Sequence, residues 1–233
     1  MIIGIHQPNY IPWIGYFHKI VSSDLFVLID QVQFVKGHVC NRNKIRDKNG
    51  RVITLTVPVR LSKGAYQSFN EIEIDYDQKW QKSHLNLIKN AYLKADFFEE
   101  YFERFSEIIN VKYSNLAELN IKIIKFVCDE LQIKTPLITA SEIPEDFGRK
   151  NEMNLSIVKH FGGTVYLSGC GGARQYNDER LFADNGVKIE YQQFVHPVYK
   201  QIGDEFIPNL SILDLLFNCG KNAGNYLNAN AAI

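Results

Sequence analysis

A chain of 233 residues, 45% apolar and 12% aromatic, can bury a sizeable core, which excludes a disordered protein. Its 26 basic and 26 acidic residues cancel, so the basic footprint of a nucleic-acid-binding protein is missing. No apolar run approaches the ~20 residues that span a bilayer, and the first strand meets His6 and Gln7 before a signal region is complete, so a cytoplasmic protein without a membrane span is expected.

Ile2-Ile3-Gly4-Ile5 reads as a short buried strand, and from Pro12 onward Trp13, Tyr16, Phe17 and Ile20 fall at helical spacing. Leu25-Phe26-Val27-Leu28-Ile29 is an unbroken apolar run of the kind that is buried on both faces of a parallel sheet, so the first unit is βαβ. Asn43–Arg46 and Val52–Val59 flank Asp47-Lys48-Asn49-Gly50, whose Asn-Gly pair tolerates positive φ, and a β-hairpin insertion is predicted near 43–60. Trp80, Leu85, Ile88 and Tyr92, then Phe102, Phe105 and Ile109, then Leu116 to Leu131 keep a helical period, which predicts a helical segment near 78–133. The remainder alternates: strand Pro136–Thr139, helix Asn151–Phe161, strand Thr164–Ser168, strand Val187–Tyr191 and a short helix Ile212–Phe217. The expected fold is a single α/β domain over 1–233, with a mostly parallel sheet flanked by helices.

In such a sheet, ligands sit outside the carboxyl ends of the strands. His6-Gln7-Pro8-Asn9-Tyr10 occupies the end of the first strand, and with Trp13 and His18 it forms a dense polar and aromatic group; strand-end capping is the alternative role for an isolated His. A second junction, Ser168-Gly169-Cys170-Gly171-Gly172 followed by Arg174 and Tyr176, is a glycine-rich turn whose N–H groups suit an anion, to which Arg174 adds a fork of donors. It matches neither the P-loop nor GxGxxG, and a glycine turn also serves simple chain reversal. A third group is Gln31 and Gln33 with Asn41, Arg42 and Asn43, at the start of the hairpin. Asp30, at the end of the second strand, can bind a hydroxyl or an amine, or cap the strand.

Cys40, Cys128, Cys170 and Cys219 form no CxxC pair and are expected to be reduced. Cys170 in its glycine turn is a candidate nucleophile with a distant base such as His196, set against the plain role of a small buried thiol. The six His form no HxH or HxxxH pair, so no metal site is expected.

Ile5 to Phe17, Asp24-Leu25-Phe26-Val27 with Gln33-Phe34, Asn41-Arg42-Asn43, Leu55 to Val59, Tyr166-Leu167-Ser168-Gly169 and Leu210 to Asn218 together closely resemble the WbqC-like protein family. The resemblance covers nearly the whole chain and implies an enzyme of bacterial surface-glycan synthesis, of the O-antigen or lipopolysaccharide kind, acting on a sugar precursor. Pro12 to His18 after a first strand, with Leu167-Ser168 and Ala173-Arg174, is also similar to the pattern of adenylyl-transferring enzymes such as pantothenate synthetase, although Val21 stands where that pattern has a second histidine.

That likeness implies a nucleotidylyltransferase-like fold and an ATP-dependent ligase, with a nucleotide-linked amino sugar and a small carboxylic or amino acid as partners. His6, His18 and Arg174 would then meet phosphates or developing charge, and Asp30 or Gln33 would orient the nucleophile. Gln7, Asn9, Tyr10, Trp13, Asn41, Arg42, Asn43, Ser168, Gly169, Gly171 and Tyr176 would bind ligand. A thiol-dependent acyltransferase using Cys170, and a non-catalytic nucleotide-sugar-binding protein that stacks its ligand on Tyr10, Trp13 and Tyr16, are the rival readings.

Overall fold

The structure, a computed structural model, describes residues 1–61, 67–203 and 205–227. Its centre is a five-stranded sheet of β1 (Ile2–His6), β2 (Leu25–Leu28), β7 (Leu137–Thr139), β8 (Val165–Ser168) and β9 (Lys188–Tyr191), in the order β7-β2-β1-β8-β9 with every pair parallel.

Period-two alternation divides the core between the sheet faces. Phe26 and Leu28 of β2 pack with Phe17 and Ile20 of α1 (Ile14–Val21), whereas Ile3, Ile5 and Val27 pack with Leu155, Ile157 and Val158 of α5 (Lys150–His160) and Phe182 of α6 (Glu179–Asp184). Each face is therefore covered by helices, which is why these strands read as unbroken apolar runs. Gly4 belongs to this packing, because a Cβ there would come 2.6 Å from the Phe26 ring.

Between β2 and β7 the chain leaves the sheet. β3 (Arg42–Arg46) and β4 (Val52–Thr56) form the hairpin, with Gly50 at φ 80° and the Asp47 carboxylate accepting from the N–H groups of Asn49 and Arg51. β5 (Val59–Arg60) and β6 (Glu73–Ile74) add a short antiparallel ladder, too brief to leave a period in the sequence. α2 (Trp80–Tyr92), α3 (Phe98–Asn110) and α4 (Leu116–Glu130) follow, and α7 (Ile212–Cys219) packs on α3 through Phe98 and Phe217, whose rings are 5.3 Å apart. None of the helices among the described residues is long and apolar enough to cross a membrane.

α1 begins later than the spacing of its apolar residues predicts. Trp13 is still extended at φ −78°, ψ 167°, and Ile11 lies at φ 41°, a left-handed conformation that strains a β-branched residue. The strain is held from the hairpin, where the Asn43 amide donates to the Ile11 carbonyl at 2.6 Å and to the Tyr10 carbonyl at 3.2 Å.

Candidate functional site

The sheet order places a crossover between β1 and β8, because the chain leaves β1 toward β2 on one side and leaves β8 toward β9 on the other. Ligand crevices of parallel α/β sheets form at such a point. Pairing of Gly4 with Leu167 sets the carboxyl ends side by side, so the His6-Gln7 junction and the Ser168-Gly169 junction border one cavity of about 860 Å³. Gln31 and Gln33 beyond β2, Asn154 of α5 and the segment entering α5 complete its wall.

His6 stands edge-on to Tyr16, with ring centres 5.0 Å apart, and its Nδ1 donates to the Gln7 carbonyl at 2.9 Å. A carbonyl can only accept, so Nδ1 carries the proton and Nε2 is left as an acceptor. Burial, then the charge of Lys19, lowers the His6 pKa to about 4, which makes the ring neutral at pH 7. Ser168 is fully buried and its hydroxyl accepts from the Asn177 amide at 2.9 Å.

Lys19 supplies the site's buried cation. Its side chain runs from the last turn of α1 under the end of β1, is 3% exposed, and donates to the Ile5 carbonyl at 2.6 Å. Burial lowers its pKa to about 7. Arg149 and Lys150, at the start of α5, bring two further cations to the same cavity, and its described wall contains no Asp or Glu. A chain of zero formal net charge therefore has a cavity whose described lining holds Lys19, Arg149 and Lys150 without a carboxylate, a field suited to an anion.

Of the residues singled out by sequence, His6, Gln7, Gln31, Gln33, Ser168 and Gly169 border this cavity. The others are placed elsewhere. Tyr10 is fully buried and hydrogen-bonded to His84 Nδ1 at 2.8 Å, and Asn9 is buried within reach of the Cys40 thiol at 3.9 Å. Asn41 ties Gly37 to Val57, and Asn43 ties the hairpin to the first loop. Trp13 packs against Phe194 and His196. His18 accepts at Nδ1 from the Gln192 amide at 2.8 Å, with its pKa lowered by burial.

Asp30 is buried outside the cavity wall, where it accepts from the N–H and the hydroxyl of Ser141, the latter at 2.5 Å, beside a separate polar pocket. Arg42 is exposed on the hairpin. Arg174 is exposed, with its guanidinium 4.7 Å from the centre of the Tyr191 ring, and Tyr176 is 77% exposed. A Cβ on Gly171 would meet nothing within 4 Å, so no close approach requires this glycine. Cys170 is exposed, and His196 has both ring nitrogens engaged, Nδ1 with the Pro197 carbonyl and Nε2 with the Asn209 N–H.

Sequence reading passed over Lys19, Arg149, Lys150 and Asn154. A lysine in the last turn of a short helix is ordinarily a solvated end that complements the helix dipole. The one signal was that Lys19 lies three and four residues after Tyr16 and Gly15, on a helix whose other residues are almost all apolar.

Fold and cavity together define a parallel α/β protein with a pocket at its sheet crossover whose described lining carries basic groups and no carboxylate. The chain belongs to the WbqC-like protein family, whose profile matches residues 7–226. It is also 34% identical, over 227 residues, to a protein of Mycobacterium tuberculosis (strain ATCC 25618 / H37Rv) described as "Uncharacterized protein Rv1507c", covering 97% of this chain and 96% of the relative. No solved structure matches the chain.

Proposed function

We propose that this protein is an enzyme of bacterial surface-glycan synthesis that joins an amino acid or other acyl group to the amine of a nucleotide-linked amino sugar, with ATP activating the carboxylate. The reading is carried by the cavity at the β1–β8 crossover, whose described wall has no carboxylate and brings together Lys19, Arg149, Lys150, a neutral histidine and Gln7, Gln33 and Asn154. Such a lining offers charge to phosphates and neutral donors and acceptors to a sugar.

In the proposed reaction the carboxylate attacks the α-phosphorus of ATP and expels pyrophosphate. The sugar amine then attacks the acyl carbon, AMP leaves, and the proton lost by the amine passes to solvent or to a base. His6 Nε2 serves to orient a hydroxyl or amine hydrogen by accepting it, because a pKa near 4 makes it a weak base at neutral pH.

The test is to incubate the protein with ATP, glycine and a dTDP-amino sugar, then with a wider panel of amino sugars, amino acids and acyl donors. Mass gain on the sugar together with AMP release is expected. A panel that stays unmodified sinks the ligase reading, and tight sugar-nucleotide binding without turnover would mark a binding protein instead.

A further inference from the structure

The buried Lys19 amine has no carboxylate counter-ion among the described residues. It donates to the Ile5 carbonyl at 2.6 Å, which leaves two of its three protons without an acceptor among the described residues, and no carboxylate there pairs with it. The nearest aromatic face is Phe26, with Nζ 6.0 Å from the ring centre. Of the groups that face it from other elements, His6 from β1 is neutral, and the Cys170 thiol, on the turn after β8, is the acid whose charge acts to raise the Lys19 pKa against the larger effect of burial. Isolated buried ammonium groups are costly, and an anionic ligand that pairs with one offsets that cost.

The second observation is independent of Lys19. α5 is an 11-residue helix whose entry, Gly148-Arg149-Lys150, forms part of the same cavity wall. The Gly148 N–H already donates to the Asp146 carboxylate at 2.9 Å and Glu152 lies in the first turn, but the helix has no side-chain cap, its N–H groups and dipole favour negative charge, and Arg149 and Lys150 add two exposed cations. Gly148, at φ 79°, makes the turn into this entry. The glycine turn after β8, by contrast, has Arg174 occupied against Tyr191.

We infer that Lys19 and the Arg149–Lys150 entry of α5 form a binding site for the diphosphate of a nucleotide, with Lys19 as the buried counter-ion and the α5 entry as the outer clamp. The nucleotide can be the ATP or the sugar nucleotide of the proposed reaction, which share this group. The site rests on that reading only for the identity of the nucleotide, because its anion chemistry stands on the cavity alone.

Calorimetric titration of the full chain tests it, with inorganic pyrophosphate, ADP and dTDP as separate probes at pH 7.5 in two buffers of different ionisation enthalpy. Wild type is expected to bind all three and to take up protons as it does so, because the anion drives Lys19 to its charged form. Lys19→Met should weaken binding by roughly 10–100-fold and abolish the proton uptake, whereas Arg149→Ala with Lys150→Ala should weaken binding but retain the uptake.

Tighter binding of ADP than dTDP assigns the site to ATP, and the reverse order assigns it to the sugar nucleotide. Absence of pyrophosphate, ADP and dTDP binding in wild type, or proton uptake and affinity unchanged in a folded Lys19→Met protein, overturns the inference. If these binding results hold while no sugar is modified, the ligase reading fails and the diphosphate site stands.

Discussion

The Asn120 side-chain amide of α4 donates to the Pro8 carbonyl at 2.9 Å and to the Cys40 carbonyl at 2.7 Å, clamping the loop that follows β1 from 112 residues away in the chain. Asn120 is fully buried, so its loss leaves two carbonyls without partners in the core. Asn120→Ala is expected to lower unfolding stability by about 2–4 kcal/mol in urea titrations and to weaken pyrophosphate binding, because the clamped loop begins with Gln7, next to His6 at the end of β1. Wild-type stability in this variant would remove the clamp from any role.

Lys19 sets a stability cost that is full at and below about pH 7 and is relieved in the alkaline direction. Its folded pKa near 7 lies below the unfolded value of 10.5, so the folded state binds fewer protons between these limits and stability rises as pH climbs from about 7 toward 10. Lys19→Met removes this slope. The variant should melt several degrees above wild type near pH 7, with the difference shrinking by pH 10, as a thermal-melt series would show.

His84 gives the opposite limb. Burial lowers its pKa to about 4, against 6.5 unfolded, while the Tyr10 hydroxyl sits 2.8 Å from its Nδ1. A depressed histidine leaves stability intact above pH 6.5 and withdraws it as pH falls toward 4, by up to about 3 kcal/mol for such a shift. His6 contributes in the same window, since its pKa is depressed to the same degree. His84→Gln should flatten the acid limb of a stability-against-pH curve, and an unchanged limb would count against burial of the uncharged ring.

Cys170 is exposed, and His196, the base that the sequence offered for it, has both ring nitrogens committed. Cys170→Ala is expected to keep activity and pyrophosphate affinity within about twofold of wild type. A loss beyond a hundredfold, with the fold intact by circular dichroism, would restore the thiol-acyltransferase reading.

Much of the fold was legible because its causes are local. Unbroken apolar runs at Leu25–Leu28 and Val165–Ser168 report strands covered on both faces, the helical periods of α2 to α4 report one buried stripe each, and Asn49-Gly50 reports its turn. The six-residue α6 and the β5–β6 ladder escaped, since each is shorter than the window in which a period can be counted.

The site divides along the same line. By itself the sequence determined that the His6 and Ser168 junctions end strands, because strand ends follow from apolar runs meeting polar residues. Tertiary structure alone decided that these ends adjoin, through the parallel pairing of β1 with β8, and that Tyr10, Asn41, Asn43 and His18 work as packing and tethering groups. It also turned Lys19 from an ordinary helix-end lysine into the buried cation of the cavity, because burial is a property of what folds over a side chain and not of its neighbours in sequence.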